Sequence, residues 1–356
     1  MKGVLLHGGK GTRLKPITYT EVKQLLPVAG KPISQYCLED MISIGITEVC
    51  IVVGSVGATD VMEHYGDGSR WGISISYAHQ PEPLGIAHAV GLVENFVGSE
   101  PFVAYLGDNL VHGGIGKLRD NFIGGSFDAY VALSRVKTPE RYGVAEVRDG
   151  KLYRLVEKPK EPKSNLALTG IYFLKQSVFD VIRELKPSWR GELEITDALQ
   201  RLIDKGFSVG CDEITGWWKD TGTAEDMLDA NRLVLDGITR NTENVSRQDR
   251  NIIGRVSIGR NVQMDDQTRI KGPSYIGEGT AISASYIGPN TSIGNNCILK
   301  GVEIEDSIVM DHCTIEGDGA VSIHESLIGT GCTVVKGNSV RKGTKLIVGR
   351  DSKISL

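Results

Sequence analysis

Downstream of about Asn241, aliphatic residues recur at close to six-residue spacing, a rhythm that few folds accommodate. Ile276 and Ile282, Ile287 and Ile293, Ile298 and Ile304, then Leu327, Ile328, Val334 and Val340 carry it. Glycine follows isoleucine at Ile258-Gly259, Ile276-Gly277, Ile287-Gly288, Ile293-Gly294 and Ile328-Gly329. Such a period, with Gly or Asn at the corners, predicts a hexapeptide parallel β-helix. Each short strand turns one aliphatic inward, and about three such units complete a triangular coil. A β-sandwich is the competing fold, but it alternates every two residues along longer strands. The repeat is irregular over residues 306–322, where a loop or an imperfect coil is expected.

Before about Gly237 the rhythm is different. Val4-Leu5-Leu6, Val49 to Val53, Phe102 to Leu106 and Ala129 to Leu133 are short apolar runs that read as buried strands. Between them, Ser34 to Ile44, Ala87 to Phe96, Val178 to Leu185, Ile195 to Ile203 and Ala224 to Leu235 show helical spacing. Strand and helix in alternation predict a Rossmann-like α/β domain with a mostly parallel sheet. The expected boundaries are residues 1–240 for this domain and 241–356 for the β-helix. A chain of 356 residues is in any case longer than one core usually serves.

Composition excludes some partners. The formal net charge of -4 gives no global basic footprint, so nucleic acid is not expected to bind, whereas a small anion needs only a local cluster of positive charge. The six cysteines include no C-x-x-C pair, which points to buried thiols in a reducing compartment rather than a metal site. No apolar run approaches the roughly 20 residues that span a bilayer. Met1 leads directly into a strand-like segment without a signal-peptide pattern, so a cytoplasmic protein is expected.

The chemistry-bearing residues lie in the first part. The strand Gly3 to Leu6 runs into His7-Gly8-Gly9-Lys10-Gly11-Thr12-Arg13-Leu14. Glycines allow tight turns and bring backbone N–H groups against phosphate oxygens, and Arg13 adds a rigid fork of donors. The loop matches neither Walker A nor the dinucleotide fingerprint, and alone it could be a plain turn. Lys23, in Lys23-Gln24-Leu25-Leu26-Pro27-Val28, supplies a second positive charge. Asp108 follows the buried strand ending at Leu106, as a Mg²⁺ ligand facing a phosphate would, though an Asp there also caps turns. Asp220, in Trp217-Trp218-Lys219-Asp220, is the second carboxylate such an ion uses. Tyr142-Gly143 can offer a backbone N–H to a ligand, Glu157 can accept sugar hydroxyls and Lys158 can hold a sugar phosphate; each also reads as a solvated loop. Gln80 can read a base edge or sit in a surface turn. Trp218 can pack on a sugar or fill core, and Trp217 is expected in the core.

Taken together, Leu6 to Leu14, Lys23 to Val28, Gln80-Pro81-Glu82-Pro83-Leu84-Gly85, Leu106 to Asn109, Glu157-Lys158-Pro159, Arg190 to Thr196 and Trp218 to Gly222 resemble the glucose-1-phosphate thymidylyltransferases. The likeness covers roughly the first two-thirds of the chain in the family's order, and the added repeat is similar to the family's long form, whose C-terminal β-helix is left-handed. The resemblance implies that Leu6, Gly8, Gly9, Gly11, Thr12, Arg13, Lys23 and Gln24 bind the nucleotide, with Arg13 and Lys23 on the triphosphate and Gln80 and Gly85 on the base. It implies Mg²⁺ on Asp108 and Asp220, and a sugar-phosphate site of Tyr142, Gly143, Glu157, Lys158 and Trp218. Arg13, Lys23 and Lys158 would be catalytic. His7 stands where the family carries a small residue such as Ala or Ser.

The implied reaction is in-line attack of glucose 1-phosphate on the α-phosphorus of dTTP, giving dTDP-glucose and pyrophosphate, with UTP as the alternative nucleotide. The attacking oxygen is already anionic, so alignment and charge neutralisation suffice. Rival readings are another nucleotide–sugar pair such as GTP with mannose 1-phosphate, an added acetyltransferase using His312 or His324, and a non-catalytic scaffold. The β-helix suits homo-oligomer formation or bracing.

Overall fold

The computed structural model describes residues 1–9, 11–148, 151–242, 249–336 and 346–355; Lys10 and Val340 lie outside them. The chain divides into two compact units, one of Met1–Lys10 with Ile33–Asp220, the other of Gly11–Pro32 with Thr221–Leu356. Residues 11–32 and 221–240 thus group with the repeat, although in sequence they belong to the α/β part.

In the first unit, Lys2–His7 lies between Glu48–Val53 and Phe102–Leu106, parallel to both, and Ser74–His79 is added parallel beyond Glu48–Val53. Covered on both faces, these strands are continuous apolar runs: Val4, Leu5, Ile51, Val52, Phe102, Val103 and Ala104 are all 0% exposed. The order of these four strands across the sheet is third, second, first, fourth. The direction of progress reverses between Lys2–His7 and Phe102–Leu106, and ligands bind beyond the carboxyl ends at such a reversal. Both glycine loop and Asp108 leave from those ends. The rest of the sheet is largely antiparallel: Leu166–Leu174 pairs with Phe102–Leu106, Ala129–Arg135 and Gly143–Arg148, and Lys151–Glu157 pairs with Gly143–Arg148.

The expected helices form, with one correction. Ile195–Asp204 buries Ile195, Ala198, Leu199 and Leu202, an i, i+3, i+4, i+7 stripe. Full burial of such a leucine stabilises by about 2 kcal/mol. The single helix expected over Ala87 to Phe96 is instead two short ones, Ile86–Gly91 and Glu94–Val97. Gly91 costs a helix about 1 kcal/mol relative to Ala, and the break at Leu92 and Val93 still leaves Val90, Val93 and Val97 buried.

In the second unit the repeat forms parallel ladders. Val256–Ile258, Ser274–Ile276, Thr291–Ile293, Ile308–Val309, Leu327–Ile328 and Ile347–Val348 stack in one. This is the β-helix expected, with Ile276, Ile287, Ile293, Ile304, Ile328 and Val334 each 0% exposed inside. Corner glycines stack so closely that a Cβ on Gly277 would collide with the backbone of Gly294. Ile298 departs from expectation: it is 49% exposed, and Leu299 takes the inward position opposite Ile282. Strand alternation sends Cys297 and Leu299 inward and Ile298 out. The irregular stretch is an imperfect coil rather than a loop. Thr314–His324 keeps pairing with Ile298–Glu305, with a register shift after Lys300 that accommodates the extra residues around Gly317. All six cysteines are free, five of them buried.

Candidate active site

The first unit holds most of the sequence-predicted residues, with Leu6, Gly8, Gly9 and Asp108 at or just beyond the strand ends of the sheet reversal. Leu6 pairs with Leu106, and the Gly107 N–H donates to Leu6 O at 2.9 Å, which holds the two strand ends together. Gly9 turns at φ +109°. Beside it, Gln80 is 4% exposed and fixed by its own amide, whose Nε2 donates to Gly85 O at 3.1 Å and lies 2.9 Å from His88 Nδ1. Gly8 lacks the Cβ that would stand 3.0 Å from Gln80 Oε1, so the glycine loop and the amide oxygen share one small cleft with His7, Ser55 and Pro83. Gly85, at φ +107°, lies where any Cβ would strike the Leu193 backbone.

A second group of contacts is continuous. Trp218–Asp220 pairs with Asn109–Val111 so that Asp220 stands opposite Asn109. The Asn109 Nδ2 donates to Asp108 Oδ1 at 2.7 Å. The Trp218 indole donates to Asn109 Oδ1 at 2.8 Å and to Thr169 O at 3.0 Å, and its edge meets the Tyr142 ring at 5.3 Å. Lys158 N–H donates to Tyr142 O, and Gly143 pairs with Glu157. Asp108, Asp220, Trp218, Tyr142, Gly143, Glu157 and Lys158 therefore line one side of the unit. Trp217, expected in the core, is half-buried against His112 at 5.8 Å, since successive side chains leave the chain in opposite directions.

Two carboxylates at the end of the Asn109–Val111 pairing offer hard oxygen donors. Among the described residues no cluster of three or more His, Cys, Asp or Glu could hold a metal. A site made from Asp108 and Asp220 leaves coordination positions for water and phosphate, which suits Mg²⁺.

The carboxylate of Glu157 is held from two sides. Thr196 Oγ1 donates to Oε2 at 2.6 Å, and Arg190 Nη1 approaches Oε1 at 3.3 Å while also pairing with Glu194. A Cβ on Gly143 would stand 2.7 Å from Thr196 Oγ1, so glycine there leaves room for this bond. In sequence the run Arg190 to Thr196 carried only the family likeness and no individual role; its alternating charges before a helix were the available signal. Tyr172, 3% exposed, was missed. Burial pushes its phenol pKa up, and Glu157 and Asp108 push the same way, so it lies within electrostatic reach of both.

His7 is 4% exposed, and both ring nitrogens are buried without a hydrogen-bond partner among the described residues. Burial lowers its pKa to about 3, against the pull of Asp108 and with help from His64. Above pH 6.5 the ring is neutral folded or unfolded. As pH falls below that value, the unfolded chain binds a proton that the folded chain refuses until about pH 3, so stability is lost with acid. In urea titrations without divalent ions, the wild type is expected to lose about 2–3 kcal/mol more than His7→Phe between pH 8 and pH 4.5. Equal losses would remove this account.

The remaining predicted residues, Gly11, Thr12, Arg13, Lys23 and Gln24, belong to the second unit. Gly11 is left-handed, at φ +57°, and opens the 3-10 turn Thr12–Leu14. Thr18 Oγ1 donates to Gly11 O at 2.7 Å, and the Lys23 Cβ lies 3.4 Å from where a Gly11 Cβ would stand. Lys23 and Gln24 are 8% and 2% exposed, whereas Arg13 is exposed. The Arg13 guanidinium lies over Gly222, where a Cβ would come within 2.9 Å of it. Within this unit the turn thus places Gly11 beside Lys23.

Residues 2–237 match the nucleotidyl transferase family model, and residues 270–355 match the GMPPB C-terminal domain. The chain belongs to the nucleotidyl transferase family. It is 43% identical to a low-salt glycan biosynthesis nucleotidyltransferase, Agl11, of Haloferax volcanii, over 100% of both chains. It is also 43% identical to a glucose-1-phosphate thymidylyltransferase of Streptomyces antibioticus, over 100% of this chain and 99% of that one. A solved structure described as a candidate glucose-1-phosphate thymidylyltransferase from Bacillus anthracis superposes with a TM-score of 0.64 at 41% identity, covering 68% of this chain and 98% of that one. A UDP-glucose pyrophosphorylase structure with UDP-glucose gives 0.59 at 27% identity, covering 66% and 98%. Like these relatives, this nucleotidyl transferase is an enzyme of the transferase class. Among its described residues no helix is long and apolar enough to cross a membrane.

Proposed function

We propose that the chain transfers a nucleotidyl group from dTTP to glucose 1-phosphate, forming dTDP-glucose and pyrophosphate. The observation that carries this reading is the continuous line of contacts from Asp220 through Asn109, Trp218 and Tyr142 to Lys158 and Glu157. It joins a carboxylate pair to a cation and a fixed hydroxyl acceptor, the combination a phosphosugar needs.

Lys158 holds the sugar phosphate, Glu157 accepts hydroxyl hydrogens, and Trp218 and Tyr142 pack on the ring, with the Gly143 backbone beside it. Gln80, Gly85 and Gln24 orient the base; Leu6, Gly8, Gly9, Gly11 and Thr12 line the nucleotide, and Arg13 and Lys23 bind its triphosphate. An oxygen of the sugar phosphate then forms a bond to the α-phosphorus as the bond to the β-phosphate bridging oxygen breaks. Pyrophosphate leaves with its growing charge met by Arg13. No general base is required, because the attacking oxygen is anionic at neutral pH. Mg²⁺ held by Asp108 and Asp220 would supply charge neutralisation on the phosphates of both substrates.

The full-length 43% identity to a thymidylyltransferase favours dTTP. UTP is the second reading, supported by the UDP-glucose pyrophosphorylase likeness. Residues 1–240 are assigned to transfer and 241–356 to a β-helix that assembles copies of the chain. Pyrophosphate release should be measured with dTTP, UTP and GTP against glucose and mannose 1-phosphates, with Mg²⁺ or with chelator. The expected result is kcat/KM at least tenfold higher for dTTP with glucose 1-phosphate and loss of activity in chelator. Release without a sugar phosphate, or with no pair at all, would overturn the proposal.

A further inference from the structure

Residues 11–32, which carry Arg13 and Lys23, group with the β-helix, and four contacts within that unit fix them. Ala29 N–H donates to Asn231 Oδ1 at 2.9 Å. Asn231, on the helix Ala224–Asp236 and 0% exposed, also accepts from Ser292 Oγ at 2.6 Å and donates through Nδ2 to Asn290 O at 2.9 Å. One buried amide thus ties this strap to a coil of the β-helix. Glu21 Oε1 accepts from the backbone N–H of Thr330 at 3.2 Å. Gly30, at φ +76°, rests on the Tyr275 ring so closely that any Cβ would collide with it. Gly349 leaves only enough room for a Cβ 3.2 Å from Pro16 O.

These anchors flank Lys23 on both sides and begin three residues beyond Arg13. Asparagine suits this position because an amide offers an acceptor and a donor on one rigid plane, and here both are used. A buried group of this kind leaves several partners unsatisfied when removed, so it fixes position as well as contributing stability.

The geometry points to Asn231 as a positioning residue for the nucleotide, through which the β-helix holds Arg13 and Lys23 in place; this rests on the triphosphate role given to those two residues above. The β-helix then sets nucleotide affinity as well as bracing the fold. The sugar-phosphate residues belong to the other unit and carry none of these anchors, so the two substrates respond differently to loosening of the strap.

The test uses the full chain and steady-state kinetics with each substrate varied in turn. Asn231→Ala and Glu21→Ala are each expected to raise KM for the nucleoside triphosphate five- to tenfold, with KM for the sugar 1-phosphate within twofold of wild type. Glu21→Gln keeps an oxygen for the Thr330 N–H and should stay within twofold for both. Thermal unfolding monitored alongside separates loosening from misfolding; if Asn231→Ala fails to fold, the Glu21 pair decides. Unchanged nucleotide KM in the folded Ala variants, or equal rises for both substrates, would overturn the inference. Inactive wild type with every substrate pair would instead remove the functional proposal beneath it.

Discussion

Asp108→Asn is expected to lower turnover by about three orders of magnitude, with little change in thermal stability. The substitution keeps shape and a side-chain oxygen for the Asn109 Nδ2 contact of 2.7 Å, so the local fold survives. It removes the charge, and phosphoryl chemistry in which the protein supplies mainly positioning and electrostatics depends on that charge. Pyrophosphate release under saturating substrates measures the loss, and Mn²⁺ titration by calorimetry should show weaker binding in the variant. Turnover within tenfold of wild type would exclude Asp108 from the proposed pair with Asp220.

Arg13→Ala is the second large effect, with about a thousandfold loss expected in kcat. Arg13→Lys should recover only part of it, because an ammonium cannot reproduce the planar two-pronged contact with phosphate. Arg13 is exposed and lies over Gly222, so neither change disturbs a core and unfolding midpoints should hold. Full recovery by lysine would show that Arg13 acts as a simple point charge. Near-wild-type kcat in Arg13→Ala would remove it from the leaving-group role.

The fold was legible wherever periodicity reports burial directly. Continuous apolar runs such as Val49 to Val53 signal strands covered on both faces, and the six-residue spacing of Ile276, Ile282, Ile287 and Ile293 signals inward positions of stacked coils. Legibility failed where two neighbouring residues were equally apolar. At Ile298-Leu299 composition cannot say which points inward, and the ladder to Ile282 decides. Gly91 broke a helix whose spacing was otherwise sound.

Among the candidate site residues, those on backbone turns or strand ends could be singled out in sequence because Gly, Asp and Arg carry their conformational or chemical need on their face. The supporting set was not. Asn109, Thr169, Thr196 and Arg190 make contacts between elements separated in sequence, and Tyr172 feels Glu157 and Asp108 from its own strand; sequence distance hides such relations, Trp218 and Asn109 being 109 residues apart. Nor could spacing tell that residues 11–32 would group with the repeat rather than with the strands around them in sequence.

That grouping has a consequence for synthesis. The partners of the strap are made late: Ala29 waits for Asn231, 202 residues further on, and Glu21 waits for Thr330, 309 residues further on. At ribosomal rates the second wait is on the order of fifteen seconds to a minute. The strands around Lys2–His7 can assemble early, but Arg13 and Lys23 acquire their full support only when the late coils emerge. A chain cut short before those coils would therefore carry Arg13 and Lys23 on a segment that lacks the Glu21–Thr330 anchor.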